Sequence, residues 1–591
     1  MEARYGVEAM KTLAIAVLLL ASCRQDGRYL GNTRPPSAQR FVYDNGEEPS
    51  TFDPALQRSE AESMLEENLF EGLTGDHPIT TEPIAGMATH YRLSADGKQY
   101  TFYLRGHPAP QGIRLPDITS LPNEYSRGIK PPPDSMPARW SDGSPVTAHD
   151  FVYAWRRFAD PKTGFISASD LAIIESADDI LAGKLPKERL GVEAVDDFTF
   201  AVRLRYPAPY FLSMSAFWYP LPRRVLERFR VSGNEDAWAK PANLVCNGPF
   251  VVSSWRPYES VKLRENAFYY AKNLVRLEEV TFLPVASGAT PVNLYRSGGV
   301  QALNPTALPY SVAPALQNRG ELEKYRLWRL EHLTMNLRQP PFNNRLLRLA
   351  ISMAIDRSAM ARLVDGAPLR HVTISGPKYP APESLFEDIA GKRLDILAYD
   401  PEGARWVLAA AGYPNGVGRD GSRLSFKLHT PTKEQDVACS QIIAYELQKN
   451  LNIDARVTPV EPSVLWHGVF ADHFSDMEYT GDTLSYGDPY AFLGYLPSDN
   501  AGYVAGFDMK AYYASLDSAN AIRDAAERFR RLAESEALLM RSMTIIPLCT
   551  TTGAYLLKPY VRGWTRNLAE DVYFRYAWID TAWKPDTGWK P

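Results

Sequence analysis

Two hydrophobic periods interleave along this chain, and neither prevails for long. Tyr100, Phe102 and Leu104 alternate with polar residues after the turn signal Asp96-Gly97, and Phe198, Phe200, Val202 and Leu204 repeat the pattern after Asp196-Asp197. That is the period of strands with one buried face. Phe151, Val152, Trp155 and Phe158 instead share one helical face. Thr147 and Asp150 open that helix as a capping box, with Asp in place of the usual Glu, and Pro161 closes it. Asp400-Pro401-Glu402 reads as the cap, N1 proline and acidic first turn of another helix, with Ala404, Val407, Leu408 and Ala411 on its apolar face and Gly412 and Pro414 at its end. Residues 516–540, rich in Ala, Arg and Glu, predict one further long helix. No segment recurs at a fixed period. A chain of 591 residues built this way must layer strands and helices around more than one core, so the fold class is α/β in several lobes.

The balance of 65 Lys and Arg against 69 Asp and Glu, with 45% apolar residues, excludes wholesale disorder, and the lack of a long basic run speaks against nucleic acid as a partner. Twelve per cent aromatic residues suit either large cores or an aromatic-lined cleft. The apolar run Leu13–Ala21 is far shorter than the ~20 residues that span a bilayer. Lys11 precedes it and Ser22-Cys23 follows, so that the run ends in Leu20-Ala21-Ser22-Cys23. This predicts a signal peptide over 1–22, a lipobox with lipidation at Cys23, and a lipid-anchored flexible tether over 23–39; Met10 is an alternative start. The mature chain is then held at a membrane, periplasmic or at the cell surface. Cys246, Cys439 and Cys549 remain; an odd number in apolar contexts predicts buried thiols, at least one of them free.

Motifs for catalysis are missing. Gly416-Val417-Gly418-Arg419-Asp420-Gly421 matches a dinucleotide fingerprint, but a helix precedes it and a strand follows, the reverse of what a pyrophosphate needs, so it reads as a loop. His467 and His473 are spaced wrongly to stack on one helical face as metal ligands. Neither a cofactor, a metal nor an enzymatic activity is expected.

A set of segments in fixed order does carry information: Pro49–Pro54 and Leu69-Phe70-Glu71-Gly72-Leu73; Trp140–Trp155 and Asp160-Pro161-Lys162-Thr163; Asn247-Gly248-Pro249-Phe250; Tyr295-Arg296-Ser297-Gly298; Phe342-Asn343-Asn344 and Ala354-Ile355-Asp356-Arg357; Ala411-Gly412-Tyr413-Pro414; Tyr486-Gly487-Asp488-Pro489. In this order the chain resembles the oligopeptide-binding proteins of ABC importers, the peptide and nickel solute-binding family, from about residue 41 to 580. The resemblance implies a two-lobed periplasmic-binding-protein-like fold of the large, three-domain peptide-binding subtype. Lobe I would take 40–69, 223–328 and 553–591. An extra subdomain would take 70–222, with a Pro-rich insertion at 106–138, and lobe II 329–552. Trp140, Trp155, Asp356 and Arg357 carry the resemblance and are read as structural.

The resemblance also implies that an extended short peptide pairs with receptor backbone near Glu60 and at Gly481, Asp482 and Thr483, in a cleft that closes around it and then presents it to a permease pair with ATPase subunits. Asn304, Trp466, Ser485 and Tyr486 complete the expected ligand-binding set. The cleft departs from the family pattern. Ser485 stands where the family's acid would meet the peptide's ammonium, and an acid, Asp482, lies three residues earlier. Phe470 and Tyr479 replace basic residues, and Ser167 replaces a tyrosine. Those departures keep open a non-peptide solute on the same fold, such as an oligosaccharide or metal chelate, and a non-transport surface lipoprotein acting as sensor or chaperone. The family default is a monomer.

Overall fold

The computed structural model describes residues 29–585 apart from 286–288, 305–307, 309–315, 317–318, 375–377, 462–475, 484–485, 496–508 and 565. Three main sheets organise them. The first holds Arg40–Asp44, Glu279–Leu283, Ser260–Glu265 and Phe250–Arg256 in that spatial order, the first pair parallel and the rest antiparallel. Phe41 and Tyr43 point into the core, where the C-terminal segment covers them: Phe41 stacks on Trp564 with centroids 5.0 Å apart, and Phe574 meets both rings edge-on.

The second sheet is antiparallel throughout, in the order Ile113–Arg114, Ala88–Leu93, Gln99–Leu104, Thr199–Arg203, Val192–Asp196. The helix Ala148–Phe158 lies on it, its capping box formed by Thr147 and Asp150 as the sequence predicts. Trp155 sits edge-on to Phe200 at 5.0 Å and donates its indole N–H to the Trp218 carbonyl. Trp140 donates to Asp150. One continuous apolar core runs through these two sheets. The Pro-rich stretch 106–138 adds the short strand at its sheet's edge and tucks Ile118, Leu121 and Tyr125 against Leu274 and Tyr576, so it straps the second sheet to the first lobe.

The third sheet runs Asp454–Val460, Ser425–Pro431, Met477–Thr483, Leu322–Met335, Ile545–Leu556. Its first three strands are parallel, with the helix Glu434–Leu451 as a crossover between two of them. Its core is separate, built on Leu330, Leu333, Met335, Ile351, Leu428 and Leu447. Asp356 caps the helix Arg357–Leu363, and Arg357 donates to the carbonyls of Ser352 and Pro547, the structural role expected of this pair.

Two strands join the cores. Leu322–Arg326 pair with Thr552–Leu556 beside the first core, and Leu330–Thr334 pair with Ile545–Thr550 in the second, with a break of register between Arg326 and Leu330. A ribbon interrupted by a bulge bends and twists where it is interrupted, which makes the break a hinge.

Two expectations change. Residues 516–540 are not one helix but parts of two, Met509–Asn520 and Ala525–Ser542; Asp524 caps the second by accepting from the Glu527 N–H. The stretch read as tether is docked over its described part: Leu30 is buried. The Gly416–Gly421 segment is a loop between the helix Pro401–Ala410 and the strand Ser425–Pro431. Cys246, Cys439 and Cys549 are buried free thiols.

Candidate ligand cleft

The hinge ribbon carries charge where it passes between the cores. Arg329 donates Nε–H to Glu331 Oε1 at 2.7 Å, and Thr551 donates to the same oxygen at 2.9 Å. Glu331 Oε2 is buried without a hydrogen-bond partner among the described residues. The ion pair lies over Gly481 of the neighbouring strand, where a Cβ would fall 2.3 Å from Arg329 Nη2 and 2.4 Å from Glu331 Oε2. Burial and the Glu331 charge push the Asp436 carboxyl up to about 6. One residue along, Asp482 faces Leu330 across the ladder and reaches His332, Oδ2 to Nε2 3.4 Å. Burial raises its affinity for a proton, against the pull of His332 and Arg329.

The first lobe supplies a matching group. Arg566, almost fully buried, donates to the hydroxyls of Tyr43 at 3.0 Å and Tyr325 at 3.4 Å. Glu60, first residue of the helix Glu60–Leu69 and half exposed, stands 3.6 Å from it, and Glu570 4.0 Å. Burial pushes the Tyr43 hydroxyl up to about 12. Burial and Glu60 raise the Glu570 carboxyl against the pull of Arg566 and, from the other side of the hinge, Arg329. The backbone ties the lobes here as well: Trp328 N–H donates to the Leu568 carbonyl at 2.8 Å.

The strand Met477–Thr483 pairs with Leu322–Met335 along its whole length, Met477 to Thr483. On its other side the ladder with Ser425–Pro431 ends at His429–Glu478. Residues 479–483 therefore have a strand neighbour on one side only among the described residues. Tyr479 points into the second core. Gly481, Asp482 and Thr483 form the outer end of this half-paired edge.

Those of the expected residues that are described thus fall in four places. Gly481, Asp482 and Thr483 gather with Arg329, Glu331 and His332 on one side of the hinge, and Glu60 with Arg566 and Glu570 on the other. Tyr486 lies apart, stacked on Tyr210 of the segment that follows the second sheet. Asn304 is buried just past Ala302, which bridges Tyr43 and Leu557. Trp466, Phe470, His467, His473, Ser485 and Cys23 lie outside the described residues. Sequence reading missed Arg329, Glu331, Tyr325, Arg566, Glu570 and Tyr210. The alternation Arg329-Leu330-Glu331 was a usable signal, because charges at every second position of a strand share one face. Among the described residues no group of three or more His, Cys, Asp or Glu could share a metal ion, and no helix is long and apolar enough to cross a membrane.

Two cores joined by a hinged ribbon, with paired charges and a half-paired strand edge at the join, define a two-lobed solute receptor of the periplasmic-binding-protein type. The comparisons bear this out. Residues 137–503 match the family model described as bacterial extracellular solute-binding proteins, family 5, middle. The periplasmic oligopeptide-binding protein OppA of Salmonella typhimurium is 29% identical over 579 residues, covering 96% of this chain and 97% of that protein. The probable deoxycholate-binding periplasmic protein YgiS of Escherichia coli is also 29% identical, over 558 residues, with 93% and 95% covered. Among solved structures, the murein tripeptide binding protein MppA of Escherichia coli superposes with a TM-score of 0.74 at 27% identity, covering 93% of this chain and 99% of that one. The Haemophilus influenzae OppA complex with the peptide RPPGFSPFR gives 0.71 at 27% identity, covering 92% and 100%. The chain belongs to family 5 of the bacterial extracellular solute-binding proteins, a family of binding proteins for ABC importers.

Proposed function

We propose that this protein captures short peptides in the cleft at the hinge and delivers them to an ABC permease pair, working outside the cytoplasm as a lipoprotein anchored through Cys23. The observation that carries the reading is the half-paired edge at 479–483. An extended peptide can add to such an edge as a further strand, taking affinity from main-chain hydrogen bonds that are blind to side-chain identity. Asp482 is the acid assigned to the ligand's ammonium: it stands on that edge, shifted from the position Ser485 occupies, and shares its charge with His332. Glu60 and Arg566 face the ligand from the first lobe. The two sets stand on either side of the hinge, and a ligand that touches both would shift the balance toward the closed form. The names of the relatives, several of them oligopeptide-binding, support the same ligand class.

The test is native purification followed by mass spectrometry of whatever co-purifies, with hydrogen exchange of the 479–483 amides on adding a di- to pentapeptide library. Co-purifying peptides and new protection at 479–483 are the expected result. A single non-peptide species, with a peptide library that changes nothing, would overturn it. One observation favours a second reading: one relative is named for a bile acid, and the tyrosines Tyr206, Tyr210, Tyr486 and Tyr490 gather where the two cores meet. Deoxycholate recovered from the native protein would decide for it.

A further inference from the structure

The segment that leads into the first sheet is clamped rather than tethered. Glu321 and Lys558 form a fully buried ion pair, 3.3 Å apart. Together they take the main chain of Leu30: its N–H donates to Glu321 Oε2, and Lys558 Nζ donates to its carbonyl at 3.1 Å. Tyr295 donates its hydroxyl to Glu321 at 3.0 Å and offers its ring face to the Lys558 ammonium, 3.7 Å from the centroid. The Leu30 side chain is buried among Val292, Tyr295, Val300, Leu303 and Leu556. On either side, Arg319 donates to the Tyr29 carbonyl, Tyr29 meets Trp583 edge-on, and Asn32 bonds the carbonyls of Arg296 and Ser297. A buried ion pair repays its desolvation only if its remaining donors and acceptors are satisfied. Here the Leu30 backbone does part of that work, so pair and segment hold each other.

Cys23 precedes Tyr29 by six residues. Fully extended, six residues reach about 20 Å. We propose that the Leu30 clamp sets the first-lobe face around Asn32 and Trp583 against a lipid headgroup surface, so that the first lobe stays fixed at the membrane and the second lobe moves. The inference rests on the lipoprotein reading of Cys23. A freely jointed tether over 23–39 would leave the receptor without a preferred face; a clamp at Leu30 leaves too little chain for the molecule to turn over. Arg24 and Arg28 outweigh the single Asp26 within the linking residues, leaving the net positive charge that anionic headgroups attract.

The test uses the full chain, extracted from membranes and reconstituted on phosphatidylethanolamine–phosphatidylglycerol vesicles carrying an acceptor dye on the headgroups. A donor dye is placed through an azido amino acid at Asn293 of the first lobe or Tyr445 of the second, both exposed. Transfer from position 293 several-fold above that from 445 is expected. A flexible insert of about 20 Gly and Ser residues between Gly27 and Arg28 should bring the two to the same low value. The pair variant Glu321→Gln with Lys558→Met should narrow the gap in the same direction; if it does not fold, the insert alone decides. Equal transfer from both positions in the uninserted chain overturns the proposal. Mass spectrometry of the N-terminal peptide tests the anchor separately: without a lipid on Cys23 the lipoprotein reading fails, and the face is then read by coupling the Cys23 thiol to maleimide headgroups, since the other three cysteines are buried.

Discussion

Tyr210 and Tyr486 stack across the two cores with ring centroids 5.5 Å apart and planes 13° from parallel. Tyr490 stacks on the same Tyr210 at 4.7 Å, and its hydroxyl lies 3.4 Å from that of Tyr206. Arg528 holds Asp488 between the two stacking tyrosines by a bidentate pair, 2.7 and 2.9 Å, and its guanidinium sits 5.7 Å from the Tyr210 ring centroid. A contact that joins the lobes away from the hinge holds them together, and opening would have to break it.

Tyr210→Ala should therefore weaken closure without unfolding either core. Two aromatic contacts at about 0.5–1.5 kcal/mol each lower the closed-to-open ratio by roughly 5- to 150-fold. Ligand affinity by titration calorimetry should fall by a factor in that range, and small-angle scattering should show a more open particle at subsaturating ligand. Tyr210→Phe keeps the ring and should bind within about twofold of the parent. An unchanged affinity in Tyr210→Ala would show that the stack forms equally well in the open form.

Gly487 makes the hinge side of the same loop. A Cβ there would stand 2.2 Å from Cη2 of Trp328 and 2.6 Å from its Cζ2. A fused ring on the hinge strand cannot yield as a flexible chain end can, so Gly487→Ala should cost roughly 1–3 kcal/mol as overpacking. Trp328→Ala in the same chain should recover most of that loss. Thermal unfolding of the four members of the cycle checks it, and additive losses would remove Trp328 as the cause.

How far these relationships could be read from the chain depends on their range. The helix Ala148–Phe158 was legible to its cap because Thr147, Asp150 and the stripe Phe151–Trp155–Phe158 are local. The strand Gln99–Leu104 was legible for the same reason. Asp524 was not recognised as a cap because good helix formers flank it on both sides, and composition alone does not show where a helix restarts. The group around Arg566 draws Tyr43, Glu60, Tyr325 and Glu570 from separate segments, and no local pattern announces it. The clamp on Leu30 was hidden in the same way, since a Pro-containing polar stretch reads as tether until Glu321 and Lys558 are seen to grip it.

Glu536 makes stability depend on pH. It is fully buried in the second lobe and accepts from the N–H groups of Val372 and Thr373 and the hydroxyls of Thr373 and Tyr379, yet burial pushes its carboxyl up to about 7. The folded chain then holds a proton that the unfolded chain releases near pH 4.5. Its contribution is fully present below pH 4.5 and is lost as pH rises toward 7, amounting to roughly 3 kcal/mol. Glu536→Gln can accept from the two amides through Oε1 and donate to the two hydroxyls through Nε2. Its stability relative to the parent should climb between pH 4.5 and 7 and then level, as read by denaturant unfolding across that range. A parallel pair of curves would show that Glu536 ionises normally.

Gly481 separates binding from folding at the ligand edge. A Cβ at this position meets only the ends of two side chains, Arg329 Nη2 and Glu331 Oε2, and ends of that kind can swing aside. Gly481→Ala should accordingly fold, with a loss of about 1 kcal/mol or less, in contrast to Gly487→Ala. The displaced guanidinium and carboxylate then crowd the Gly481 face of the half-paired edge, where an added strand would lie. Asp482 pairs with Leu330 and belongs to the opposite face, so its contact with the ligand's ammonium is left in place. Peptide affinity should drop by roughly tenfold, and acetylating the peptide's amino terminus should cost as much in Gly481→Ala as in the parent, because the two changes act on opposite faces. Calorimetry with one tripeptide and its acetylated form, against both chains, gives the four numbers of the cycle. A smaller penalty for acetylation in Gly481→Ala would show that the Arg329–Glu331 pair also reaches the ammonium.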